Sequence, residues 1–155
     1  MVYGINSESV YAISNDKPRP LEEIYPEIGY KTVEEAVKEF EQHFKHDLKL
    51  PLRVPPLTFT HYFGRFNDLG GDMNDYIECV FINENSAEHH YKIDVRHITN
   101  KIPIRDKYVK NVFKLNNGTN ATYMKISGFN VLVFETDNWQ YMLSIDKIVS
   151  DKVTP

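Results

Sequence analysis

Alternation of apolar and polar positions is sharpest near the C-terminal end of the chain. Trp139, Tyr141, Leu143 and Ile145 alternate with Gln140, Met142, Ser144 and Asp146. A period of two sets a broad apolar stripe on one face of a strand. Just upstream, residues Val131 to Phe134 are apolar on both faces, as a strand covered on both sides would be. Between them, Glu135-Thr136-Asp137-Asn138 are polar turn formers suited to a short hairpin loop. Tyr123, Met124 and Ile126 form an earlier strand, ended by Ser127-Gly128. The pattern predicts a three-stranded antiparallel meander carrying the only tryptophan.

A period of 3.6 appears once, after Tyr30. Val33, Ala36, Val37, Phe40 and Phe44 fall on one helical face, with Glu34, Lys38, Gln42 and Lys45 opposite. Thr32 and Glu35 have the spacing of a capping box, which satisfies two amides that a helix start leaves open. The helix is expected to end near His46-Asp47. The run from Leu50 to Leu57 holds three prolines and reads as extended chain crossing an edge or end of the sheet. Further strands are expected over Thr58 to Phe66, Tyr76 to Asn83, Tyr91 to Val95 and Tyr108 to Leu115. Gly70-Gly71, Glu84 to Glu88, Pro103 and Asn116 to Asn120 mark the turns. In the first of these strands, Phe59, His61 and Phe63 alternate with Thr60, Tyr62 and Gly64.

The ends of the chain are less ordered in pattern. Val2 to Ile5 and Val10 to Ile13 read as small strands or a hairpin, Asn15 to Pro20 as loop, and Leu21 to Tyr30 as at most a turn of helix. Lys147 to Val153 suits a short closing helix. One good helix followed by about six strands argues an α+β fold, a twisted and mainly antiparallel sheet with the helix on one face. The division expected is an N-terminal extension over 1–30 and a single domain over 31–155.

Composition narrows the function more than it names it. A net charge of −4 argues against nucleic acid, which selects concentrated basic surfaces. No segment approaches the roughly 20 apolar residues of a membrane span. The single cysteine, Cys79, excludes an internal disulfide and lies in register with apolar neighbours, as a small buried hydrophobe would. The N-terminus has no secretory pattern, so the expected location is cytoplasmic if the chain is complete as given, and extracytoplasmic if a signal or anchor has been trimmed.

Candidate chemistry resolves mostly into structure. Glu35, Glu39, His43 and His46 share a helix flank, but without an HExxH spacing or a second cluster they read as a solvated face. His61, between two phenylalanines, reads as a satisfied core histidine. His89 and His90 diverge to opposite faces. Asp68, Asp72, Asn74 and Asp75 fail the EF-hand spacing and read as a polar hairpin tip. Asn117-Gly118-Thr119 and Asn120-Ala121-Thr122 match glycosylation sequons and are explained by turn chemistry. Nucleophile-elbow, phosphate-loop and dinucleotide motifs are missing. No catalytic residue, cofactor or metal ligand is nominated.

The capped helix Thr32-Val33-Glu34-Glu35-Ala36, the segment Leu50-Pro51-Leu52-Arg53-Val54-Pro55, Gly118, Tyr123 and the strand Trp139-Gln140-Tyr141-Met142-Leu143 follow one another in a telling order. Over residues 30–150 the chain resembles an uncharacterised domain family of Gram-positive lipoproteins and membrane-anchored, anti-sigma-like proteins. It departs from that family at Pro56-Leu57-Thr58, where a glycine is usual. The resemblance implies a small α+β module with a sensory, scaffolding or partner-binding role and carries over no catalytic residue; the anchor expected of the family is missing from the chain as given. The first expectation is therefore a non-enzymatic interaction module that binds another protein through the sheet or an exposed edge strand. The alternative is a carrier of a small apolar ligand held between helix and sheet by Trp139, Tyr141, Phe59 and Phe63.

Overall fold

The computed structural model describes residues 18–51, 54–70 and 74–147, leaving out the side chains of residues 87–89. The N-terminal hairpin and nearly all of the closing helix expected from the sequence lie outside these residues. Two helices, α1 (Leu21–Glu27) and α2 (Val33–Phe44), precede seven strands: β1 (His61–Asn67), β2 (Tyr76–Asn83), β3 (Ser86–His97), β4 (Val109–Lys114), β5 (Asn120–Ile126), β6 (Phe129–Glu135) and β7 (Trp139–Asp146). All pair antiparallel in one open sheet of order β1-β2-β3-β7-β6-β5-β4. The α+β expectation holds, with seven strands rather than about six.

The C-terminal meander forms as the alternation predicts. Ser127 and Gly128, with φ of 46° and 84°, make the two-residue turn between β5 and β6. Less evident from the chain, β7 also pairs with β3, so the tryptophan strand occupies the middle of the sheet.

One face of the sheet carries α2. Its capping box is formed: the Glu35 amide donates to Thr32 Oγ1 at 3.1 Å, and the Thr32 amide donates to Glu35 Oε2 at 3.2 Å. Lys45, at φ 58°, turns the chain out of the helix. Ala36 and Phe40 are wholly buried against Ile77, Cys79, Ile93, Val95, Trp139 and Tyr141, with Val33, Val37 and Phe44 at the margin. The apolar helix face read from the sequence is the face that packs. Burial pushes the Cys79 thiol up to about 12, which keeps it a protonated core side chain.

The chain after α2 does not cross the sheet at an edge. It lies over the same face, where the Trp139 indole donates to Asp47 O at 2.9 Å and the Tyr141 hydroxyl donates to Lys49 O at 2.7 Å. Prolines cannot join a ladder, so this segment sits above the strands, and two core aromatics satisfy its carbonyls.

The opposite face carries α1 and the β3–β4 connection. Leu21 and Tyr25 pack with Tyr30, Phe63, Val80 and Ile82. The stretch before residue 31 thus contributes a helix to the sheet. The link between α1 and α2 passes round the edge of β1, where Lys31 and Gly64 exchange backbone hydrogen bonds of 2.7 and 2.9 Å. Across the other half of this face, Ile104, Tyr108 and Val109 cover Met124, Val131 and Val133. Gln140 holds the connection in place: its amide side chain exchanges two 2.9 Å hydrogen bonds with the backbone of Ile102.

Candidate functional site

The ladder registers decide which side chains share a face. Helix α2 packs over β1 and β2 and reaches the central strand only at the Trp139 end. Farther along, Leu143 and Ile145 on β7, Leu132 on β6, Tyr123 on β5 and Phe113 on β4 fall on that same face. With Tyr91 below and Val54 and Pro55 above, they line an open groove of about 560 Å³. The walls are almost wholly apolar. Burial raises the Tyr91 hydroxyl to about 12, so it is neutral here. The groove exists because a single three-turn helix cannot cover seven strands, and the proline segment roofs only part of the remainder.

Strand β4 bounds the groove and is unusual in its exposure. Every residue after Val109 is exposed, including Val112 and Phe113, whose side chains lie on opposite faces. Around it the charge reverses. Residues 101–125 hold Lys101, Arg105, Lys107, Lys110, Lys114 and Lys125 against Asp106 alone, in a chain whose net charge is −4. Lys101 pairs with Glu135 at 3.1 Å, and Lys107 stacks on Tyr108. Among the described residues, Lys110, Lys114 and Lys125 have no acidic partner.

Three of the four ligand residues expected from the sequence share one core, and Phe63 is parted from them. Trp139 and Tyr141 are 3% and 4% exposed and belong to the core under α2. Phe59 packs on that core beside Phe81 and Tyr91. Phe63 lies on the opposite face, stacked on Tyr25 with centroids 4.5 Å apart. The alternation read from Phe59 through Phe63 breaks at Thr60, a bend whose backbone and hydroxyl both bond Ile82 O before the strand begins at His61. The groove lies four to six residues farther along β7 than the tryptophan. Phe113 belongs to the aromatic content that motivates the ligand reading, whereas nothing in the sequence marks Leu132, Leu143 and Ile145 as a site. The signal that could have found it was the clustering of lysines around the apolar pair Val112-Phe113.

The histidines and carboxylates find local partners. Glu35 caps α2 and Glu39 pairs with Lys31. His43 Nε2 lies 3.3 Å from Oδ2 of the buried Asp75, whose other oxygen accepts from the Leu69 amide at 2.8 Å. His46 stacks on His97, and burial together with the charge of His46 lowers the His97 pKa. His61 bonds Glu22 and Thr60. Among the described residues no three His, Cys, Asp or Glu side chains converge as a metal site would require.

One charged cluster is buried on the α1 face. Glu78 accepts from Tyr30 Oη, from Arg65 at 3.2 Å and from Lys92 at 2.6 Å, while Lys92 also reaches Asp94 at 3.5 Å. Burial raises the Asp94 carboxyl to about 6, with Oδ1 left without a hydrogen bond. Burial acts on Glu78 in the same direction, but its bonds to Lys92 and Tyr30 outweigh it and hold the carboxyl below its ordinary value. Two carboxylates with separated proton affinities can serve as acid and base. Here neither lines the neighbouring cavity of about 400 Å³ formed by His90, Lys92, Ile126, Phe129 and Met142. Through Tyr30, and through Arg65, which also donates to Ile28 O at 2.9 Å, the cluster ties the α1–α2 link to the sheet.

Comparisons with family models, with curated proteins and with solved structures returned no match. Among the described residues, no helix is long and apolar enough to cross a membrane.

Proposed function

We propose that the protein is a non-enzymatic binding module that engages another protein through the apolar groove beside α2. The observation that carries this reading is the uncovered half of the helix-bearing face, about 560 Å³ of apolar recess bounded by an exposed strand. Apolar recesses rimmed by polar residues mark interaction sites on soluble domains. The resemblance to extracytoplasmic domains of Gram-positive lipoproteins points the same way, and a sensory role at the cell surface is part of the proposal. A second reading, a small apolar ligand in the same groove, is favoured by volume, since ligand pockets begin near 300 Å³.

A photo-crosslinking amino acid in place of Val54, on the groove roof, tests the module reading. The control position is Lys38 on the exposed flank of α2. A discrete protein adduct from position 54, absent at 38 and lost on Leu132→Glu, is the expected result. Native mass spectrometry of the unmodified protein addresses the second reading. A stoichiometric amphiphile displaced by Leu132→Glu would replace the first reading with the second.

A further inference from the structure

We infer that the outer edge of β4 takes up an extended, acidic segment of the partner as an added strand. This inference rests on the binding-module reading above and names the chemistry of its partner. The sheet has two edges. That of β1 is capped at its middle, where Lys31 and Gly64 exchange backbone hydrogen bonds. That of β4 has no such cover among the described residues.

Three features of β4 fit strand addition. Val112 and Phe113 are 53% and 47% exposed on opposite faces, so a strand laid alongside would shield both. The Leu115 amide bonds Thr119 O across the β4–β5 hairpin, and the alternation of a strand then directs the amides of Val112 and Lys114 outward. The Val112 amide is capped by Asn111 Oδ1 at 2.8 Å, an acceptor that a side-chain rotation withdraws.

Charge chooses the partner. Lys110 and Lys114 flank the exposed apolar pair. In a two-fold pairing of β4 with a second copy centred on Val112, Lys110 of each would face Lys114 of the other, which like-charge repulsion disfavours. An incoming strand with Glu or Asp at those positions and apolar residues between them meets complementary groups throughout. The irregularity between Val109 and Asn111 limits pairing to a short stretch.

The test uses the full chain and a short fluorescein-labelled peptide with a Glu-Val-Val-Val-Glu core, read by anisotropy. Two controls carry Lys for Glu, or N-methyl groups on alternate backbone amides. The Glu peptide should bind at least about tenfold tighter than the Lys peptide, as two cross-strand ion pairs imply. N-methylation should abolish binding, because it removes strand pairing while keeping the charge. The Lys110→Glu, Lys114→Glu double variant should reverse the preference with an unchanged melting temperature. Amide shifts on binding should centre on Val112 and Lys114. Binding that survives N-methylation, or that shifts amides elsewhere, overturns the inference, as does sedimentation showing self-association through β4. If the peptide fails but the Val54 adduct still depends on Leu132, the module reading stands and only the strand-addition inference falls. If both fail, both fall.

Discussion

Gly64 is where the helix comes closest to the sheet, and replacing it tests the architecture at one point. A Cβ built at this position lies 2.8 Å from Ala36 Cβ, 3.0 Å from Val33 Cα and 3.2 Å from Thr32 O. Carbon atoms rest at about 3.5–4.0 Å, so α2 would have to retreat by somewhat under 1 Å along its first two turns. Two of the three obstructing atoms are backbone and cannot rotate aside. Overpacking of this kind costs about 1–3 kcal/mol, offset by the roughly 0.5–1 kcal/mol that alanine gains over glycine in the unfolded chain. Gly64→Ala should therefore destabilise by about 1–2 kcal/mol. Urea unfolding followed by Trp139 fluorescence reads this directly, because that ring packs 5.0 Å from Phe40 on α2. Ala36→Gly supplies the second arm of a double-mutant cycle. It removes the nearest obstructing atom at a cost of about 1 kcal/mol in helix propensity. In that background Gly64→Ala should cost about 1 kcal/mol less, since neighbours in contact do not add. Strict additivity, or a Gly64→Ala protein as stable as the parent, would refute the close approach of α2 to β1.

The fold class was legible because both periodicities are strong. The stripe from Val33 to Phe44 packs on the sheet, and the alternation from Trp139 to Ile145 sets its apolar residues on the helix-bearing face, where Trp139 and Tyr141 are buried and Leu143 and Ile145 line the groove. The position of β7 at the centre of the sheet was not legible. Alternation says that one face is buried but not which strand will be the second neighbour, and β3 is more than forty residues away in sequence. The parting of Phe59 from Phe63 was hidden for a related reason: a single bend at Thr60 shifts the phase, and threonine is an ordinary strand residue. Sequence reasoning placed a candidate ligand site at the aromatic residues, because aromatic content is visible in a chain. The groove instead follows from an absence of cover, set by the length of α2 relative to the width of the sheet. Its cationic margin was visible, since Lys107, Lys110 and Lys114 surround Val112-Phe113, but an acidic average over the whole chain conceals it.

Two further perturbations test the core and the buried charges. Phe40, wholly buried among Phe44, Phe66 and Trp139, should cost about 3–5 kcal/mol on truncation to alanine, and a loss below ~1 kcal/mol in denaturant melts would mean that α2 does not cover the core. The Asp94 carboxyl makes a prediction in pH. Its folded value is raised from 3.8 to about 6, so between those values the native state binds more protons at this group than the unfolded state, and its contribution to stability falls as pH rises. Glu78 runs the other way: with a lowered folded value, its contribution is present above 4.5 and is lost only as pH falls through that lower value. His90 and His97, both lowered from 6.5, also add stability as pH rises towards and past that value. The wild-type profile therefore mixes opposing slopes, and the difference from Asp94→Asn isolates one of them. Asparagine has the shape of the protonated acid at every pH, so the variant should match the wild type near pH 4. By pH 7 it should be the more stable of the two, by on the order of 2 kcal/mol. Paired urea melts across that range measure the difference. A variant that is instead less stable at pH 7 would show that the Asp94 charge is stabilised by Lys92 and Arg96 more than burial penalises it.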